Sequence, residues 1–262
     1  MFRKCSNILV GALLTTGLLF KFMYWPYAGE LLSASLIGIV LLSLDYAIQN
    51  RGPKLLSRNL LLIMLGVIYV AAVLFKTWHL PGAGAMLIVS IIGLSIGLIE
   101  FAFCSRKSLN ALLPALFSIT LFFTLFRILH WPNEPSYVLY GSYFSFALLV
   151  PVLMFLKGFK LKSSNTSLSN HFLLIGSLSL VLFVVQVFAK ANIMGKIDCG
   201  IEYKYLWLIE VYLYCTMVLA ISKTLKLQEL KQNFLNDYRL LNCLKGIYLL
   251  LLVVIGMLVA VN

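Results

Sequence analysis

Charge is what this sequence has least of. Of its 262 residues only 11% are charged, 9 of them acids and 21 bases, against 61% hydrophobic. A soluble domain of that length needs more polar side chains to face water, so lipid is the solvent for much of the chain. Cysteine is sparse and unpaired: Cys5, Cys104, Cys199, Cys215 and Cys243 are odd in number and follow neither a disulfide framework nor zinc-ligand spacing. His79, His130 and His171 lack a second ligand at helical spacing, so neither a metal site nor a cofactor is expected. There is no phosphate-binding glycine loop, nucleophile elbow or His-Glu-x-x-His run, and the chain reads as noncatalytic.

What is present is a series of apolar runs near 8–24, 30–49, 58–77, 84–104, 110–129, 136–157, 171–190, 204–223 and 243–261. Each approaches the roughly 20 residues that a helix needs to cross the hydrocarbon. The sequence therefore predicts an all-α integral membrane protein of about nine transmembrane helices. Only 158–170 and 224–242 are polar over any length, and the second suits a short amphipathic surface helix. Arg3 and Lys4 precede the first run as in a signal peptide, but no small-x-small cleavage site follows.

Lysine and arginine concentrate on alternate connections. One side has Arg3, Lys4, Arg51, Lys54, Arg58, Arg106, Lys107, Lys157, Lys160, Lys162, Lys223, Lys226, Lys231, Arg239 and Lys245; the other has Lys21, Lys76, Arg127, Lys190, Lys196 and Lys204. The positive-inside rule then places the N-terminus in the cytoplasm and the C-terminus outside. The net charge of +12 reads as topology and attraction to anionic headgroups, with membrane lipids rather than nucleic acid as its partner.

One turn recurs. "LFKFMYWPYAGELL", "LFKTWHLPGAGAML" and "LFRILHWPNEPSYV" centre on Pro26, Pro81 and Pro132, spaced by 81 − 26 = 55 and 132 − 81 = 51 positions. That period fits a two-helix hairpin plus its connection. The expected units are 1–52, 53–108 and 109–163, then a divergent hairpin at 164–226 and a polar segment with a last helix at 227–262. Lys21, Lys76 and Arg127 hold one position of the turn, and His79 and His130 another, aligned with Tyr24. Trp25 and Trp131 precede their prolines, and Gly29 and Gly84 follow theirs. Proline and glycine turn chemistry with an interfacial aromatic belt accounts for these residue types. A binding surface, or a proton path through His79 and His130, is the alternative.

"FKTWHLPGAGAML" resembles the Phe-Lys-x-x-His-x-Pro-Gly-x-Gly turn of the transmembrane hairpin in GldL-type proteins, subunits of the Bacteroidetes gliding-motility and type 9 secretion motor. The resemblance covers about 1–157 as tandem copies. It implies a bacterial inner membrane, in which the outer C-terminus read from the charge bias is periplasmic, and a role as scaffold or subunit of a motor-like or envelope-associated complex, with a transmembrane protein partner or a homo-oligomer. The family's functional glutamate aligns with Leu94 and Ile39, so that carboxylate is not evidently retained, and the family's long cytoplasmic region has no counterpart here.

Intramembrane acids occur elsewhere. Asp45 and Glu100 stand at one offset from their prolines (45 − 26 = 100 − 81), with Pro151 at that place in the third unit, and Glu210 lies inside the eighth run. Such residues are costly in lipid and are candidate proton or ion sites. They support the alternative function, an ion- or solute-translocating transporter or channel using Asp45 and Glu100. Nearness to Arg51, Arg106 and Lys107, or of Glu210 to Lys190 and Lys204, also allows ordinary interfacial pairs. Gly38, Gly93 and Gly97 lie on small-residue faces with Ser35 and Ser90, which predict tight packing of the even helices.

Overall fold

In hydrocarbon the backbone has no water to bond, so an apolar chain must satisfy its N–H and C=O groups within each segment, which favours helices. The computed structural model describes residues 2–22, 25–49, 58–104, 109–128, 136–193 and 203–261. The described residues form α1 (Phe2–Phe22), α2 (Ala28–Gln49), α3 (Arg58–Thr77), α4 (Ala83–Cys104), α5 (Leu112–Ile128), α6 (Ser136–Leu161), α7 (Thr166–Ile193), α8 (Tyr203–Thr224), α9 (Gln228–Asn233) and α10 (Leu235–Val261), with a single 3-10 turn at Leu109–Ala111. Among them, α4, Leu109–Phe126, α6, Thr166–Lys190 and Leu206–Thr224 are long and apolar enough to cross a membrane, while Ala28–Leu42 and Ile63–Lys76 are shorter apolar stretches.

The chain divides into two compact units, one built mainly on α1 to α4 and the other mainly on α6 to α9 and most of α10. In the first, α1 packs on α2 and α2 on α3. Gly17 makes the α1–α2 approach possible: a Cβ there would stand 3.0 Å from the Leu32 nitrogen and 3.2 Å from the Leu31 carbonyl carbon. Gly38 faces Val10 and Gly93 faces Leu65, so the small-residue faces close each even helix onto the helix before it. A short connection makes those two helices obligate neighbours, and glycine sets how close they come. Gly97 is buried on the same helix. The two contacts are offset by one interval, 93 − 38 = 55 and 65 − 10 = 55. Ser35 and Ser90, also 55 apart, are both fully buried. Each hydroxyl donates back one turn, to the Leu32 carbonyl at 2.7 Å and the Leu87 carbonyl at 3.1 Å.

In the second unit α7 lies between α6 and α8. Gly158 meets Leu173 and Gly176 meets Phe155, and the Ser169 hydroxyl donates to the Gly158 carbonyl at 2.7 Å. Phe117 packs on Phe146, ring centroids 5.2 Å apart. The stretch 158–170, expected to be a polar connection, is largely helical. α6 continues to Leu161, and Asn165 caps α7 by accepting the Leu168 N–H at 2.9 Å. Nothing stops a helix at the hydrocarbon boundary when its polar end can enter water, and a side-chain cap satisfies its first donors. The amphipathic helix expected in 224–242 is the short α9. It is tied down by Asn165 donating to Glu229 and by its fully buried Leu230. α10 begins at Leu235, before the last apolar run, and its first turn holds Asp237 in an ion pair with Lys157 of α6.

Candidate functional site

The repeated turn resolves into capping chemistry. At the end of α3 the Leu80 N–H donates to the Phe75 carbonyl at 2.8 Å and the His79 N–H to the Lys76 carbonyl at 3.2 Å, with His79 at φ +53°. This is the Schellman arrangement, in which a left-handed residue just past the helix lets two N–H groups reach back to its last carbonyls. His79 therefore serves as a cap, a position where a polar side chain tolerates left-handed backbone. At the end of α1 the Trp25 N–H reaches the Phe20 carbonyl at 2.8 Å, the counterpart of the Leu80 bond. The two rings meet edge to face with centroids 5.0 Å apart, the apolar contact that accompanies this cap.

Directly after Pro26 and Pro81 comes a left-handed residue, Tyr27 at φ +67° and Gly82 at φ +88°. The carbonyls of these two residues accept the N–H of Leu31 and of Met86, each at 3.1 Å. The glycines expected to form the turn, Gly29 and Gly84, instead lie inside the first turns of α2 and α4. Proline fixes its own φ, and the sharp reversal falls on the residue directly after it. Trp25, Pro26, His79 and Pro81 are exposed and Lys76 is half-buried. The Trp78 indole donates to the Ser33 hydroxyl at 3.0 Å, joining this turn to α2. Lys21 and Arg127 lie in helices, their side chains outside the described residues, and His130, Trp131 and Pro132 lie outside them altogether.

Asp45 and Glu100 each sit about one turn before the end of their helix, Asp45 half-buried and Glu100 exposed. Both make interactions there. They belong to different units.

Glu210 is placed differently. α6 starts at Ser136, α7 ends at Ile193 and α8 starts at Tyr203, so these three helix ends lie on one side of the second unit. Tyr143, Gln186 and Glu210 each stand two turns in from that side, about 10 Å along their helices. The Gln186 amide donates to Glu210 Oε1 at 3.1 Å and to the Tyr214 hydroxyl at 2.7 Å. The Tyr214 and Tyr143 hydroxyls stand 2.8 Å apart. Since Tyr214 already accepts from the amide, its own proton is free to go to Tyr143. Gln186 is 6% exposed and Tyr214 1%, and the Gln186 Oε1 has no hydrogen-bond partner. Tyr143, Gln186, Tyr214, Tyr248, Ala147 and Ser179 line a cavity of about 10 Å³ whose other walls are apolar. Lys190, one turn beyond Gln186, rests 3.6 Å above the Tyr140 ring, a cation–π contact rather than a pair with Glu210. The Lys204 side chain lies outside the described residues.

The sequence singled out Glu210 but not its partners. Gln186 is the sole carboxamide in the apolar run 171–190, and a polar group there must find a partner on a neighbouring helix. That was the available signal. Tyr143 and Tyr214 gave none, because tyrosine is common in apolar helices. The described residues contain no group of three or more His, Cys, Asp or Glu that could hold a metal. No family model matches the chain, and no curated protein or solved structure matches it either.

Proposed function

We propose that this chain is a noncatalytic multi-pass inner-membrane protein of nine spans, in which tandem two-helix hairpins form a scaffold or subunit of a motor-like or envelope-associated complex. The observation that carries the hairpin reading is the recurrence, at one interval of 55 positions, of the same cap, the same left-handed residue after proline, the same buried serine and the same glycine contact. Separate elements that agree at one interval are expected of copies of one unit. The turns use their distinctive residues for capping, which leaves the helix faces to meet partners. α4 exposes Val89, Ile92, Ile96, Ile99 and Phe103 along one stripe, and α2 exposes Ile37 and Leu41, the positions 55 before Ile92 and Ile96. Stripes of this kind are the surfaces that lipid or a partner transmembrane helix covers.

The resemblance of the second turn to GldL-type proteins supplies the motor-like part of the proposal, and the lysine and arginine bias supplies a cytoplasmic N-terminus and a periplasmic C-terminus. The alternative, translocation by way of Asp45 and Glu100, draws less support, because both acids sit about one turn from the ends of their helices, where water is within reach. Purification of the tagged chain in native nanodiscs, with the intact complex weighed and its components identified, tests the scaffold. A fixed-stoichiometry assembly with a transmembrane partner, or a defined homo-oligomer, is expected. A monomer alone would overturn it and make ion flux in Asp45→Asn and Glu100→Gln the relevant assay.

A further inference from the structure

We propose that Glu210 is a proton-binding site within the membrane, served by a hydrogen-bonded relay of Gln186, Tyr214 and Tyr143 and by one water in the adjoining cavity. The inference stands apart from the scaffold reading. A half-buried carboxylate about 10 Å along its helix from the end of an apolar span needs a counter-charge or a proton. Its partners among the described residues are neutral, the Gln186 amide and the Tyr214 hydroxyl, and the basic side chain on the helix packed against it, Lys190, is held over Tyr140. The other titratable groups around it are Tyr143 and Tyr140 on α6, Tyr214 on α8 and Tyr248 on α10.

The amide suits a group that changes protonation. With Glu210 ionised, Gln186 Nε2 donates to the carboxylate and to Tyr214. With Glu210 protonated, a half-turn of the amide lets Oε1 accept from the carboxylic acid and from Tyr214, whose hydroxyl reverses its own donation. Both states use the same heavy atoms, because an amide is donor at one end and acceptor at the other. The cavity explains the buried Oε1 left without a partner. Pro151 has no N–H to offer the Ala147 carbonyl one turn back, and Ala147 lines the same space. A volume of about 10 Å³ is at the lower limit for one water, which donates to acceptors of this kind. A metal ion needs a shell of several oxygens, whereas Phe146, Leu182, Phe183 and Leu251 supply most of the remaining wall.

Toward the opposite ends of α7 and α8, Phe172, Ile175, Met217 and Ile221 are fully buried and apolar. The step is a plain protonation: carboxylate plus a proton from water gives the carboxylic acid, with no change of oxidation state.

Infrared difference spectra of the whole chain in lipid nanodiscs, between alkaline and acid pH, test this. The expected result is a protonated-carboxyl C=O band that is lost in Glu210→Gln. In Gln186→Leu, where its hydrogen bond is removed, the band moves to higher frequency. It persists in Asp45→Asn and Glu100→Gln, and it is unaltered when choline is replaced by Na⁺. A spectrum in which Glu210→Gln removes no band, in which Gln186→Leu leaves the band in place, or in which Na⁺ abolishes it at fixed pH overturns the proposal. Should Glu210→Gln fail to fold, the Gln186→Leu shift and the Na⁺ comparison on the native chain decide the matter.

Discussion

Replacing Gly38 by alanine puts a methyl group 2.5 Å from Val10 Cγ2 and 3.3 Å from Val10 Cγ1. Carbon atoms in contact prefer about 3.5–4.0 Å, so the overlap is severe. Valine cannot turn away, because its β-branch holds χ1 and rotation would only exchange one methyl for the other. Overpacking of this kind costs about 1–3 kcal/mol, and alanine recovers up to about 1 kcal/mol of helix propensity. A net loss of roughly 1 kcal/mol is expected in Gly38→Ala, read from unfolding by SDS titration in mixed micelles. At Gly93 the same methyl would meet Leu65 Cδ2 at 2.7 Å, but leucine has two torsions with which to re-aim its end, so Gly93→Ala comes out closer to neutral. The double variant Val10→Ala, Gly38→Ala removes the obstacle and is expected to show a favourable coupling of about 1 kcal/mol. Strictly additive effects of the two substitutions would refute the direct α1–α2 contact.

Tyr27 bears left-handed backbone with an exposed ring, so Tyr27→Gly is expected to stabilise the chain by about 1 kcal/mol in the same titration, whereas Gly82→Ala destabilises it by a similar amount. His79→Gly should raise stability by roughly 0.5–1 kcal/mol if the residue is a cap, and a loss of stability would point to a side-chain role instead. Asp237→Ala strands the half-buried Lys157 ammonium, at a cost of about 1–2 kcal/mol, below the figure for a fully buried pair. The further change Lys157→Met in that background should restore most of the loss.

Helix positions were legible because hydrocarbon thickness sets a minimum apolar run, and each expected run falls on a described helix. Helix ends in water were not. α7 starts before its apolar stretch under the Asn165 cap, and α6 and α10 run past theirs where Lys157 and Asp237 pair; nothing in local hydrophobicity encodes that support. The turn's importance was visible in its repetition, but its working residues were misassigned. Glycine suggested Gly29 and Gly84, whereas positive φ falls on Tyr27 and Gly82, directly after their prolines, and on His79, which caps α3. Gly38 and Gly93 were recognised as packing positions, but a helical stripe does not name the helix it meets. Glu210 could be found as a lone acid in an apolar run. Gln186 and Tyr143 stand on other helices, far from it along the chain, a separation that only the packing of α6, α7 and α8 closes.

The central claim, tandem hairpins whose proline turns share one face of the membrane, is tested most directly by cysteine labelling in intact cells with an impermeant maleimide, in a chain whose own cysteines are replaced by serine. Single cysteines at Tyr27 and His79 are expected to react from outside the inner membrane. One at Ser163, in the α6–α7 turn, should react only after the membrane is opened. Labelling of Tyr27→Cys and His79→Cys from opposite sides would contradict the account.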